Sequence, residues 1–327
     1  MNTAPLKFRH AYSSALWGGQ WMKALYGRAD APEIAAESCE VSGHAYGMSV
    51  VSEGPYKGRT LADLAMSYRA DLSGSKAPRP VSRFPLLLKL IDARKALSVQ
   101  VHPNRKTAPL TKGEAKTEAW IVLATAPGAA LYAGVKEGVT PEEFRAASVN
   151  GAGALAKMLK RHLVAPGDIL YIPGGVVHAI GAGVMVFEVQ QSSNTTYRLY
   201  DWDRVDKNGK SRELHVPQAL ETIDWSFPKV EIHRKKVVLD RKGYQLCRML
   251  KTDFFRVEEL SLNGGYERKM DGSSFLAVFA ADGSARVTTP DGSCHVARGT
   301  SVLIPASAAF CQFEADVVGT RLLLTSL

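Results

Sequence analysis

Short β-branched or apolar runs recur along the chain between clusters of Gly, Pro, Asn and Asp. Residues 86–90, 97–101, 120–124, 168–172, 184–189, 275–279 and 321–324 each have the length and bounding residues of a strand. Many such strands at modest spacing predict a mostly β protein built as a barrel or sandwich. Helical patterns are fewer. Thr60 precedes Leu61-Ala62-Asp63-Leu64 as a cap, and Thr140-Pro141-Glu142-Glu143-Phe144 supplies a capping Thr, a Pro at the first helical position and Glu143 in the capping-box slot. Residues 154–162 carry Leu155, Met158, Leu159 and His162 at helical spacing, so a helical insert over about residues 140–163 is expected.

Two segments echo each other. Gly167-Asp168-Ile169-Leu170-Tyr171-Ile172-Pro173-Gly174-Gly175-Val176-Val177-His178 reads as a strand and a turn that deliver a histidine. Gly299 to Phe310 repeats it at a constant offset, aligning Gly167 with Gly299, Ile172 with Ile304 and Pro173 with Pro305. His178 falls opposite Phe310. Read as a duplication, the second copy keeps the scaffold and lacks the ligand, which places the chemistry in the first. The expected division is residues 1–228 and 229–327, with the boundary near Phe227-Pro228-Lys229.

At 327 residues the chain can bury one large or two medium cores, and 46% hydrophobic with 22% charged residues describes an ordinary globule. The cysteines, Cys39, Cys247, Cys294 and Cys311, form no CxxC pair, and no secretory leader is recognised, so free thiols and a cytoplasmic setting are expected. No apolar stretch reaches the ~20 residues of a membrane helix, and no membrane association is expected. The net charge of +9 suits anionic partners, yet the basic groups at 157–161 and 233–236 lack interleaved aromatics and read as solvated faces, so nucleic acid is not an expected partner.

Four side chains could converge on one ion. In Ser98-Val99-Gln100-Val101-His102-Pro103 the strand period of two puts Gln100 and His102 on one face. Glu118 opens the strand that follows Lys116-Thr117, and His178 lies beyond the Gly-rich turn. Each alone has an ordinary reading: a core histidine for His102 or His178, a backbone-bonding glutamine at a strand end for Gln100, an aggregation-blocking edge lysine for Lys89.

Gly167, Pro173, Gly175 and His178 follow the cupin spacing G-x5-P-x-G-x2-H, although Ala182 stands where the general motif has Asn. Together with Trp17-Gly18-Gly19, Phe84 to Lys89, Gln100 to Pro103, Lys116 to Trp120 and Gln190 to Arg204, the chain resembles the short bacterial type I mannose-6-phosphate isomerases, over roughly residues 5 to 230 and more weakly beyond. Cys39 departs from that family, whose members usually carry Trp there.

This resemblance implies two cupin-like double-stranded β-helix units, jelly-roll barrels, with the helical insert in the first and no metal ligands in the second. It implies one zinc per chain on Gln100, His102, Glu118 and His178. One carboxylate against a dication leaves a site of about +1, which suits an anionic sugar phosphate and an enediolate. Lys116 becomes the candidate for proton transfer, provided burial and a cationic neighbour depress its pKa. Arg198 becomes a second catalytic candidate, either pairing with phosphate or holding the enediolate. Lys89 and Ser98 are candidate contacts for phosphate or hydroxyl, and Trp17 a wall of the pocket. Glu188 shares the face of Gln190 and could support the ligands; residues 201–204 read either as a solvated turn with a local ion pair or as a substrate contact.

The implied activity is zinc-dependent interconversion of mannose 6-phosphate and fructose 6-phosphate by a monomer or weak homodimer. The alternative is a sugar-phosphate-binding metal cupin without turnover, against which Lys116 and Arg198 argue. An iron oxygenase of the same fold fits less well, because such sites keep two histidines and a carboxylate with open positions.

Overall fold

The computed structural model describes residues 1–78, 83–150, 152–227 and 229–327, so Pro228, at the expected boundary, lies outside the described residues. The protein is mostly β, and its sheets are antiparallel. A seven-stranded sheet runs in the order Ile232–His233, Ile169–Ile172, Glu118–Thr125, Val184–Gln191, Leu86–Ala93, Glu37–Ser42, Ala11–Ser13. Five strands face it, in the order Tyr197–Tyr200, Val99–Val101, His178–Ile180, Ala130–Val135, Leu159–Leu163. Trp120, Ile91, Leu131, Leu170 and Val186 fill the space between them.

A second sandwich, built from residues 236–326 and the N-terminal strand Leu6–Lys7, repeats the plan. Leu6–Lys7, Ser301–Ile304, Leu276–Asp282, Thr320–Ser326, Arg256–Leu262, Tyr244–Lys251 and Lys236–Arg241 make a seven-stranded sheet, opposed by Gly265–Lys269, Phe310–Ala315, Ala285–Thr289 and Gly292–Val296. The units are therefore cupin-like sandwiches, not closed barrels: among the described strands, none is hydrogen-bonded to both sheets of its pair.

The echo has a structural counterpart. Strands start at Ile169 and Ser301 and again at His178 and Phe310. Gly167 and Gly299 both take the left-handed conformation, at φ 92° and 75°, that a residue with a Cβ avoids. Turn bonds match as well: Val176 N–H donates to Pro173 O and Ala308 N–H to Pro305 O, both at 3.1 Å.

The two large sheets pack on each other. Leu86, Leu88, Leu90 and Phe187 join Phe275, Phe279, Leu303 and Leu323 in one core, with Phe187 stacked on Phe279 at 4.8 Å. Strand Leu86–Ala93 is thus buried on both faces, which is why it reads as a continuous apolar run rather than an alternation. Lys89 sits in that interior strand, between Val184–Gln191 and Glu37–Ser42, and is 4% exposed. The edge-strand reading of this lysine is therefore wrong.

Both Thr caps form as expected. Thr60 and Asp63 close a capping box at the helix Leu61–Tyr68, and Glu143 N–H donates to Thr140 Oγ1 at 3.2 Å ahead of Pro141–Asn150. The expected helix over 154–162 is only partly present. Residues Leu155–Met158 are helical, but Leu159–Leu163 is a strand paired with Ala130–Val135. Backbone pairing to a strand distant in sequence overrides the local period there. No helix among the described residues is long and apolar enough to cross a membrane.

Candidate metal centre and active-site cavity

The turn Pro173 to His178 is shaped by close approach. A Cβ on Gly174 would lie 2.7 Å from Pro103 O, and one on Gly175, at φ 98°, would lie 2.8 Å from Asp224 Cβ. Gly175 N–H donates to His102 O at 2.7 Å, so the turn is bonded to the segment that carries another site residue. The excursion after Pro103 returns where Lys116 N–H donates to Pro103 O at 2.9 Å. That bond brings Lys116 alongside Glu118, the first residue of its strand.

Three groups from the two facing sheets meet inside the sandwich. One donor atom each from His102, Glu118 and His178 lies within 4.8 Å of the others, and all three side chains are buried, making this a candidate metal site. Hydrogen bonds fix both tautomers. His178 Nδ1 bonds Val176 O and His102 Nδ1 bonds Thr195 O, each at 2.8 Å. A carbonyl only accepts, so Nδ1 carries the proton and each Nε2 turns a lone pair toward Glu118.

Protonation states agree with that arrangement. Burial pushes the His102 imidazole down to about 3, with the Lys116 charge adding to the effect, and burial also lowers His178. Burial by itself would raise the Glu118 carboxyl, but the Lys116 ammonium foremost holds it well below the carboxylate range. The centre is thus two neutral imidazoles and one carboxylate. His102 Nε2 and Glu118 Oε1 have no hydrogen-bond partner among the described residues, an orphaned state that is costly in an interior. A divalent ion fits these donors. The Gln100 amide nitrogen lies 3.3 Å from His178 Nε2, and Ser98 Oγ donates to Gln100 Oε1 at 3.1 Å.

Gln100, paired in register with both His178 and Arg198, marks the passage from the centre to a cavity of about 390 Å³. Trp17, Lys89, Ser98, Gln100, Lys116 and Arg198 all line this cavity, so every substrate-binding or catalytic residue expected from the sequence reaches one space. Lys116 Nζ is 2.9 Å from Glu118 Oε2 and 4.0 Å from Glu188 Oε1. Its nearest side-chain charges are therefore carboxylates, not the cation that the sequence reading required. Glu188 is tied to the wall by Trp120 Nε1–H at 3.0 Å and is pushed up by burial and by Glu118. Arg198 Nε is buried without a partner among the described residues.

Sequence reasoning missed Glu37, Tyr46 and Arg212, which also line the cavity. Arg212 sits in a polar loop without periodicity, and Tyr46 in a loop after the strand Glu37–Ser42; neither segment carries a motif.

A cupin-like fold with a buried imidazole–carboxylate cluster beneath a cavity lined by four basic and two acidic side chains defines a protein with a candidate metal centre under a net basic cavity. Comparison narrows the class. The family model for the type I phosphomannose isomerase catalytic domain matches residues 6–120, and that for the mannose-6-phosphate isomerase cupin domain matches residues 245–318. The mannose-6-phosphate isomerase of Streptococcus mutans is 33% identical over 314 residues, 96% of each chain. Mannose-6-phosphate isomerase ManA of Bacillus subtilis is 34% identical over 312 residues, 93% of this chain and 94% of its own. A crystal structure of the Bacillus subtilis mannose 6-phosphate isomerase superposes with a TM-score of 0.87 at 29% identity, covering 99% of both chains. The chain belongs to the mannose-6-phosphate isomerase family and is an enzyme of that family, which acts on a small sugar phosphate.

Proposed function

We propose that the enzyme interconverts mannose 6-phosphate and fructose 6-phosphate through an enediolate, with zinc held by His102, Glu118, His178 and Gln100. The observation that carries this reading is the 2.9 Å contact of Lys116 Nζ with Glu118, which joins the metal centre to the cavity through a side chain able to move a proton. When bound, the ion would supply a Lewis acid that stabilises the developing oxyanion. Gln100 would contribute its amide oxygen, since the two ends of a side-chain amide exchange by a simple flip. The donor set of two imidazoles, one carboxylate and an amide is suited to zinc.

Lys116 is the proton carrier between C1 and C2: its neutral amine takes the proton from one carbon, and the resulting ammonium, 4.0 Å from Glu188, returns it to the other. The phosphate goes to Arg198 and Arg212. Arg212 lies at the mouth, its side chain 41% exposed and 3.5 Å from Asp201, while Arg198 brings a guanidinium edge without a partner among the described residues. Lys89, deeper and flanked by Glu37 and Glu188, takes a sugar hydroxyl together with Ser98, and Trp17 supplies an apolar wall. Residues 1–228 carry the chemistry and 229–327 form the degenerate copy that covers the back of the catalytic sheet. The chain works in the cytoplasm, a reading supported by four free cysteines.

A coupled assay with and without chelator tests the activity. Turnover of mannose 6-phosphate that disappears on chelation and returns with zinc is expected. A folded, zinc-loaded protein that produces no fructose 6-phosphate sinks the proposal in favour of a binding protein.

A further inference from the structure

Cys39 and Gly47 are both small, and they touch. Cys39 is buried in strand Glu37–Ser42 beside Lys89, its register partner. Gly47 takes φ 68°, and a Cβ there would lie 2.1 Å from Cys39 Sγ and 2.8 Å from Cys39 Cβ. A larger side chain at either position would lift the loop off the strand. With both small, the loop lies flat, pinned by Ser42 Oγ–H to Tyr46 O at 3.1 Å and by Tyr46 N–H to His44 Nδ1 at 3.0 Å.

This arrangement puts Tyr46 into the cavity wall. Its hydroxyl donates to Glu37 Oε2, and its ring lies 5.2 Å from Lys89 Nζ. Lys89 is 3.6 Å from Glu37 and 3.7 Å from Glu188, near enough to be neutralised and too far for hydrogen bonds. The ammonium is therefore held on three sides, by two carboxylates and an aromatic face, with its donors available to an oxygen in the cavity. A strand aromatic is absent at position 39, and the loop supplies one instead.

We propose that Tyr46 is a positioning residue for sugar binding: through Glu37 and its ring face it aims Lys89 at a substrate hydroxyl. This rests on the cavity being the active site. Tyr46→Phe removes the donor to Glu37 and keeps the ring, whereas Tyr46→Leu removes both. For mannose 6-phosphate, Tyr46→Phe is expected to raise KM about tenfold with kcat within about twofold, and Tyr46→Leu to raise it further. Calorimetric titration with mannose 6-phosphate should show the same order of weakening, and the melting temperature of Tyr46→Phe should match that of the parent. Parent-like KM and affinity in both variants overturns the role of Tyr46 and leaves the active site standing. So does an equal fall of kcat and stability in both, which marks a structural residue. A parent that neither binds nor converts mannose 6-phosphate overturns the active-site reading and this role with it.

Discussion

Lys116 carries the sharpest prediction at the scale of single residues. Replacing it by Ala removes the proposed proton carrier without touching a candidate metal donor, so turnover should fall by about 10²–10⁴-fold while bound metal, measured by elemental analysis, stays as in the parent. His178→Ala should do the reverse, lowering metal content together with activity. The imidazoles also set a pH dependence. His102 is held at about 3 in the folded protein against an ordinary value of 6.5, and His178 is lowered too. The unfolded chain therefore binds more protons below about pH 6.5, and the stability that rests on neutral imidazoles is lost as pH falls from there toward about 3. The melting temperature of the metal-free protein should drop across that window, and a His102→Gln variant should show a shallower slope. Part of this cluster was legible because motif spacing names residues: His102, Glu118 and His178 each stand at a fixed place relative to a strand, and the structure brings the three together. Arg212 and Tyr46 were not, since a loop without periodicity carries no record of where its side chains point.

Individual elements follow their local signals where the flanking residues act within one turn. Thr60 and Asp63 satisfy each other's backbone donors, and Thr60→Ala should cost about 1 kcal/mol in denaturant unfolding. Residues 159–163 show the limit of local reading. Leu155, Met158, Leu159 and His162 are spaced for a helix, yet Leu159 and His162 are buried as strand residues opposite Val135 and Leu131. The backbone bonds offered by Ala130–Val135 outweigh a short helical pattern that leaves its other face polar. Lys89 teaches the same lesson from the opposite side. A lysine amid leucines reads as an edge device until the neighbouring strands are known to cover it.

For the whole molecule, the contact between the two large sheets decides stability. Phe187→Ala should cost about 3–5 kcal/mol, measured by denaturant unfolding, because it opens the shared core at its stacked pair with Phe279. A fragment ending at residue 234 should aggregate or bind hydrophobic dyes, since Leu86, Leu88, Leu90 and Phe187 would face water. The sequence by itself determined the strand-rich class, the repeated strand-and-turn unit with its missing histidine, the caps and the residues suited to hold a metal. The first three follow from periods and turn glycines that act over a few residues, and the last from side-chain chemistry read together with the family resemblance. Only the tertiary structure decided that the units are sandwiches, that the two large sheets share a core, that residues 159–163 form a strand, and that Tyr46 and Arg212 enter the cavity. Each of those depends on pairing and packing between segments far apart in the chain, which local physics leaves open.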